Sequence, residues 1–353
     1  MQLEKREEIA HLVVRVLKGR FSTFPEDAIS NRNAPFHEAF LNAFTNQLAD
    51  KVLDIPYLIS LSSWLHGLNT TMGQTFFEGV GYILSEGRKR EFTTTSGTQL
   101  EWLPSHQLIV NEHYNALRNS LIRPTNEIYN DFIIIPNEEA KGAPNFTVDV
   151  FFEDSDVVHC LEMKTVKPNS GTMGGEKLKI LQARASLMMK YPGKRIEYYL
   201  GFPFDPTSDT DMGYNKVRFL NSIIDGTKYF SPPEILLAGE MWDYLSGHSN
   251  TMEMILDIIN RIATPDFEKE FNFLNNNDMR ANEPIKYLEI AQRWQLYSEV
   301  DFLKNDKELL TKLSSKSYKR TYDKPPFNTK GEYDSKRQNL LKNLLQSDQN
   351  ILL

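Results

Sequence analysis

Two neighbouring stretches of the chain have the hydrophobic pattern of buried strands. They span 146–152 and 157–166, and both consist mainly of β-branched, aromatic and aliphatic residues. The connector at 153–156 is polar and short enough for a hairpin turn. The pattern therefore predicts two adjacent, mostly buried strands that pair as a hairpin.

The rest of the pattern predicts a mixture of helices and strands. Helical periodicity predicts helices over 1–20, 33–48, 56–68, 74–85 and 176–190, and a mostly helical region after 265. Strand-like composition marks 92–103, 132–136 and 196–202. Basic residues at 88–90 are expected to close the fourth helix, because cations favour a helix C-terminus. The glycine-rich run 171–175 is expected to be a turn before the fifth helix.

Each predicted strand of the hairpin carries a carboxylate. Asp149 lies on the first strand, and Glu162 lies on the second, two residues before Lys164. Strand periodicity places Glu162 and Lys164 on one face. Charges are rarely buried without a partner or a metal ion. Two carboxylates beside a lysine predict a Mg²⁺-dependent phosphodiesterase site, in which the acids hold the metal and the lysine acts on water or on developing charge.

These residues resemble the D…(D/E)-x-K core of the PD-(D/E)XK nuclease superfamily. Four longer phrases resemble the TdeIII-like group of type II restriction endonucleases, and they lie at 35–41, 70–78, 161–169 and 238–247. The resemblance covers about 30–260. One departure is that Val148 stands where such enzymes often have a proline before the first aspartate. An acid-x-lysine triplet alone is a weak signal, since 139–141 has the same pattern in a polar loop and a structural ion pair would also explain it.

The resemblance implies a fold and a division of the chain. The fold class is α/β, with a restriction-endonuclease-like α/β/α core around a mixed central sheet and helical N- and C-terminal additions. The implied segments are an N-terminal helical segment 1–70, a nuclease core 71–260 and a mainly helical region 261–353.

The resemblance also implies an activity, cofactors and partners. Type II site-specific cleavage of double-stranded DNA would leave 5′-phosphate ends, with Asp149, Glu162 and the backbone carbonyl of Met163 holding Mg²⁺, and with Lys164 orienting or activating water. Mn²⁺ would substitute, and Ca²⁺ would bind without supporting cleavage. A homodimer and a cognate DNA methyltransferase are the expected partners. A structure-specific or repair nuclease on the same core is an open alternative. A non-catalytic DNA-binding protein is disfavoured, because Asp149, Glu162 and Lys164 occur together.

Further residues are candidates for supporting roles. Glu78, in the predicted helix before the strands, resembles a helical glutamate that reaches the metal in similar nucleases, and Glu38 is a weaker candidate for that role. Lys179 and Gln182 are spaced i, i+3 in the helix after the hairpin, so both can face a DNA phosphate. A solvated polar helix face would explain these two residues equally well.

The net charge of −7 is unevenly distributed. Segment 312–342 holds nine Lys or Arg residues against three Asp or Glu residues, with aromatic residues between them. This pattern is typical of phosphate contacts, with Lys319, Arg320, Lys336 and Arg337 as the candidates. A solvated, partly disordered tail is the alternative, because the segment contains two adjacent prolines and many small polar residues.

Composition narrows the cellular setting. An apolar run near 18 residues is absent from the sequence, so a membrane span is not expected. The charged first residues lack the pattern of a signal peptide. The single cysteine, Cys160, excludes an intrachain disulfide and is expected to lie in the core. A cytoplasmic protein is expected.

Overall fold

The computed structural model describes residues 1–25, 55–125, 138–164 and 170–346, together with the single positions 39, 41 and 48. The chain divides into two compact units. The sheet unit comprises Phe77–Met254 with Met1, and the helical unit comprises Gln2–Phe76 with Ile255–Leu353. Most of the predicted helix 33–48, the predicted strand 132–136 and Glu38 lie outside the described residues, while the described positions 39, 41 and 48 are helical. The predicted division at 70 and 260 stays a prediction.

The helices are numbered along the chain. They are α1 (Leu3–Phe21), α2 (Ile55–Thr71), α3 (Glu78–Ser85), α4 (Pro104–Arg118), α5 (Ser170–Lys190), α6 (Lys216–Ser222), α7 (Gly226–Tyr229), α8 (Gly239–Ser246), α9 (Thr251–Ile262), α10 (Phe267–Leu274), α11 (Asn277–Asn282), α12 (Pro284–Arg293), α13 (Tyr297–Lys304), α14 (Asp306–Lys312), α15 (Lys316–Tyr322) and α16 (Ser335–Gln346). A π-helical segment, Met72–Phe77, joins α2 to α3, and a 3₁₀ turn, Pro232–Glu234, precedes the last strand.

The central sheet of the sheet unit is mixed. The strands are β1 (Arg88–Phe92), β2 (Glu101–Trp102), β3 (Lys141–Gly142), β4 (Phe146–Glu153), β5 (Val157–Met163), β6 (Arg195–Phe202) and β7 (Ile235–Leu237). Five of them pair in the order β1-β4-β5-β6-β7, while β2 and β3 form a separate pair. The β1–β4 and β4–β5 pairs are antiparallel, and β6 is parallel to both of its neighbours. The predicted hairpin is therefore confirmed as β4–β5.

Helices cover both faces of this sheet. On one face α3 packs against β4 and against α8, and on the other α5 packs against β6 and α4. The first contact is close, because a Cβ added at Gly81 would lie 2.9 Å from the side chains of Val150 and Met163. The α/β/α architecture with a mixed sheet is confirmed, and Cys160 is 1 % exposed in its core.

The helical unit has its own buried core. One cluster consists of residues from α13 to α16, namely Phe302, Leu309, Tyr322 and Leu341. The N-terminal helix α1 buries Ile9, Ala10, Val13 and Val14, whose spacing matches one helix face. The mostly helical region after 265 is confirmed.

Three local predictions were wrong. Residues 88–90 begin the edge strand β1 rather than closing a helix, because Arg88 and Arg90 pair with Phe151 and Val148 of β4. The predicted strand 92–103 is interrupted by a turn at 94–97. The glycine-rich run 171–175 belongs to helix α5, which begins at Ser170. Within the described ranges, every helix is too short or too polar to span a membrane.

Candidate active site

The two predicted carboxylates lie on neighbouring strands of the central sheet. Val150 of β4 is paired with Leu161 of β5. Continuing this antiparallel register by one position places Asp149 opposite Glu162 on the other face. Asp149 Oδ2 accepts a hydrogen bond of 2.9 Å from the backbone N–H of Met163. The hairpin thus holds both acids at the end of β5 where Lys164 follows.

Two lysines neutralise the Glu162 carboxylate, whose side chain is 7 % exposed. Lys164 Nζ donates to Oε1 at 2.9 Å, and Lys179 Nζ donates to Oε2 at 2.6 Å. Lys164 comes from the chain just after β5, whereas Lys179 comes from α5. The sheet and the covering helix therefore both supply cations to one carboxylate.

A third acid, Glu176, completes this cluster from the first half of α5. Its Oε1 lies 2.8 Å from Lys164 Nζ, and its Oε2 lies 4.0 Å from Lys179 Nζ. Glu176 and Lys179 are three residues apart in the helix, so their side chains share one face. Glu176 Oε2 is buried and lacks a hydrogen-bond partner among the described residues.

Burial and like charges perturb the titration of the site. Burial, the nearby Glu162 carboxylate and Glu78 raise the pKa of Asp149 to about 6, although the Met163 N–H and Lys179 act in the opposite direction. Burial lowers the pKa of Lys164, but Glu162 and Glu176 outweigh it, so the net pKa is raised. Lys164 is therefore an ammonium group near neutral pH, suited to orienting water and stabilising negative charge.

Glu78 is the first residue of α3 and belongs to the same region. Tyr82 Oη donates to Glu78 Oε2 at 3.1 Å, and Lys89 Nζ lies 3.9 Å from that oxygen. The Glu78 charge contributes to the raised pKa of Asp149. Burial and Glu78 likewise raise the pKa of Tyr82. The supporting role of Glu78 stays a prediction, and Tyr82 is a neighbour that the sequence pattern did not indicate.

The donor set fits a hard divalent cation. Asp149 and Glu162 offer only oxygen ligands, and their mutual repulsion would be relieved by a bound cation. Among the described residues, no group of three or more His, Cys, Asp or Glu side chains is arranged to hold a metal. Mg²⁺ is compatible with such a sparse set, because it keeps several water ligands and needs only one or two carboxylates. The Met163 carbonyl stays a predicted ligand.

The remaining predicted residues are distributed over both units. Gln182 is half-buried in α5, one helical turn beyond Lys179. In the helical unit Lys319, Arg320 and Lys336 are exposed. Arg337 is 0 % exposed, and its Nη1 donates to Glu299 Oε1 at 2.5 Å. The expectation that Arg337 contacts phosphate was wrong, because its guanidinium group serves a buried ion pair.

The aromatic residues between these charges have a structural role. Tyr322 and Phe327 are buried, and Tyr333 Oη donates to Glu299 at 2.6 Å. Segment 312–342 also contains α15, a bridge between Phe327 and Tyr333, and most of α16. The alternative of a partly disordered tail was wrong for this segment.

Comparison with known proteins shows the family to which the chain belongs. The family model described as "Type II restriction endonuclease, HinfI" matches residues 1–263. The type II restriction enzyme MjaII of Methanocaldococcus jannaschii is 41 % identical over an alignment 354 positions long, which covers 94 % of each chain. The resemblance to type II restriction endonucleases is thus confirmed. The chain belongs to the HinfI family of type II restriction endonucleases, which are site-specific deoxyribonucleases.

Proposed function

We propose that this enzyme hydrolyses double-stranded DNA at a specific site in a Mg²⁺-dependent reaction and leaves 5′-phosphate and 3′-hydroxyl ends. The observation that supports this proposal is the convergence of Asp149, Glu162 and Lys164 at the end of β5. Asp149 accepts a hydrogen bond of 2.9 Å from the Met163 N–H, and Glu162 accepts one of 2.9 Å from the Lys164 ammonium group. Mn²⁺ is expected to substitute for Mg²⁺, and Ca²⁺ to bind without supporting cleavage.

Each residue of the cluster has a distinct proposed task. Asp149 and Glu162, with the Met163 carbonyl, would hold Mg²⁺, which supplies charge neutralisation at phosphate and a lower pKa for water. Lys164 stays protonated beside Glu162 and Glu176, so it would orient the attacking water and stabilise charge on the phosphate. Glu176 would keep Lys164 in place through the 2.8 Å ion pair. Lys179 and Gln182 would face the DNA backbone from α5.

The experiment that tests this function is to map the cut ends. Purified protein is incubated with a sequenced plasmid and Mg²⁺, and the ends are sequenced and probed for 5′-phosphate. Discrete fragments with identical flanking sequence and ligatable 5′-phosphate ends are the expected result. Cleavage confined to flaps, junctions or mismatches would instead identify a structure-specific or repair nuclease.

Metal affinity is expected to fall as the pH is lowered through 6. The raised pKa of Asp149, about 6, means that this ligand becomes protonated there, and a protonated carboxyl binds metal poorly. Below pH 6 the apparent affinity for the metal ion should fall by about tenfold per pH unit, since one proton competes with the metal for Asp149. Calorimetric titration with Ca²⁺ between pH 5 and 8 measures this. An affinity that stays constant from pH 7 to pH 5 would contradict the assignment of Asp149.

We also propose that the enzyme acts as a homodimer and is paired with a cognate DNA methyltransferase. Two-fold symmetric proteins match the symmetry of a short palindromic site. Sedimentation of the complex with one cognate duplex in Ca²⁺ should give the mass of two protomers plus one duplex. A single protomer on a single site would contradict the dimer. Methylation is expected because a host that encodes the nuclease needs its own sites protected.

A further inference from the structure

The helical unit contains a basic pocket that the active site does not use. It is a cavity of about 380 Å³ between the end of α1, the end of α2 and the turn that precedes α16. Its cationic lining residues are Arg15, Lys18, Arg20 and Lys330, and Thr71 and Thr75 also line it. Glu332 is the one carboxylate among the described lining residues. The pocket therefore carries a positive excess.

The turn that carries Lys330 is fixed against α1. Gly331 has a φ of +77°, and a Cβ at this position would lie 2.7 Å from Lys18 Cβ and 3.0 Å from the Val14 carbonyl oxygen. Only glycine allows both this backbone conformation and this close approach. The Gly331 N–H also donates to the Asn328 carbonyl at 2.9 Å. The pocket wall is thus a close-packed turn on a helix.

Two of the four cations have a local explanation. Lys18 lies 3.3 Å from Glu268, and Arg15 lies 3.5 Å from Glu332. Lys18, like Arg20, also lies in the last turn of α1, where positive charge is favourable. The presence of Arg15 and Lys18 does not by itself indicate a ligand.

The other two cations, Arg20 and Lys330, have no carboxylate within ion-pair distance among the described residues. Arg20 is pinned rather than mobile. Its Nη2 donates to the Trp64 carbonyl at 2.6 Å, its guanidinium group lies 5.1 Å from the Trp64 ring centroid, and Trp64 Nε1 donates to the Arg20 carbonyl at 3.1 Å. Arg20 Nε is buried and lacks a hydrogen-bond partner there. A partly buried cation held in this way lacks a counter-charge.

We propose that this pocket binds a phosphodiester group of the DNA backbone through Arg20 and Lys330. The inference rests on the proposed function, since it assigns a further contact to the same DNA substrate. A fixed guanidinium group is suited to phosphate oxygens because its donors match their spacing, and a lysine adds a point charge. A phosphodiester carries one negative charge, and the two unpaired cations suit it. The contact is independent of base identity, so it adds affinity without adding sequence specificity.

The test compares the salt dependence of DNA binding for full-length variants. Arg20→Gln, Lys330→Gln and the double variant are titrated by fluorescence anisotropy with labelled duplex in Ca²⁺ at several salt concentrations. Loss of one phosphate contact should make the slope of log K against log salt shallower by about 0.9, which corresponds to about eightfold weaker binding near 0.1 M salt. Cognate and non-cognate duplexes should be weakened alike. Lys330→Gln changes an exposed side chain, so it remains informative if Arg20→Gln disturbs folding.

The matched control removes the same charge elsewhere in the helical unit. Lys269 and Lys307 are exposed and lie outside this pocket, so Lys269→Gln/Lys307→Gln should leave the salt slope at the wild-type value. A double pocket variant with the wild-type slope would overturn the proposal.

Calorimetry with inorganic phosphate distinguishes a pocket for a DNA phosphate from a pocket for a free phosphate ion. Phosphate binding that is lost in the double variant while DNA affinity is unchanged would assign the pocket to a free anion and overturn the DNA contact.

The inference and the proposed function fail in different ways. Single-turnover cleavage at saturating enzyme should be unchanged by the control Lys269→Gln/Lys307→Gln, because both residues lie outside the active-site cluster and outside the pocket. A wild-type protein that cuts no DNA site would refute the proposed function, while the salt slope would still report on the pocket.

Discussion

Glu162→Gln is expected to reduce DNA cleavage by at least about 10³-fold in Mg²⁺, because it removes the negative charge that would hold the metal; a loss of several kcal/mol of transition-state stabilisation corresponds to this factor. The substitution keeps the size of the side chain and leaves oxygen and amide groups near Lys164 and Lys179. Asp149→Asn is expected to have a similar effect. The measurement is the single-turnover rate on a plasmid with one site.

The chain offers a control with the same local pattern. Glu139-Ala140-Lys141 also has the acid-x-lysine spacing, but Glu139 is exposed. Glu139→Gln should therefore cleave at the wild-type rate. Full cleavage by both Glu162→Gln and Asp149→Asn would refute the site assignment.

Asp149→Asn should also make the metal-free protein more stable. The pKa of Asp149 in the folded state, about 6, lies above the usual aspartate value of 3.8. Such a group stabilises the fold below pH 4, and this contribution is lost as the pH rises through 6, so at pH 8 the ionised carboxylate is destabilising. Removing its charge should raise the free energy of unfolding by about 3 kcal/mol in EDTA at pH 8. Urea denaturation measures this change, and it also shows that the loss of cleavage is not a loss of folding.

Lys177→Met is expected to cause the largest loss of stability, by about 3–5 kcal/mol. Lys177 on α5 is 0 % exposed and forms an ion pair with Glu234, which is 4 % exposed. Burial lowers the pKa of Lys177, and the Glu234 charge opposes this effect. Without the lysine the buried carboxylate would lose its ion-pair partner, although its hydrogen bonds from the Ser231 N–H and hydroxyl, at 2.9 and 2.8 Å, would remain. That turn leads into β7, so the loss should destabilise an edge of the central sheet.

The measurement is urea or thermal unfolding, with two comparison variants. Lys190→Met changes an exposed lysine of the same helix and should shift the free energy of unfolding by less than about 0.5 kcal/mol. Lys177→Met/Glu234→Gln should recover part of the loss, because the unpaired charge is then gone. A Lys177→Met variant as stable as wild type would contradict the buried ion pair.

The sequence by itself determined the hairpin and the acids on it. Runs of β-branched, aromatic and aliphatic residues and a polar connector are local properties, so they specify two strands regardless of what covers them. Asp149, Glu162 and Lys164 follow from that pattern, because strand periodicity decides which side chains share a face. The amphipathic spacing of Ile9, Val13 and their neighbours likewise predicted the first helix.

Only the tertiary structure decided which charges are paired, because ion pairs join residues that are distant in sequence. Arg337 was expected at the surface, but Glu299, 38 residues earlier, makes it a buried cation. Arg88 and Arg90 form a strand because β4, about 60 residues later, offers an edge for pairing. Lys179 meets Glu162 because α5 crosses the sheet at that point. Local periodicity determines which side chains lie on the same face of a helix or strand. Packing between helices and strands determines which distant residue each of those side chains contacts.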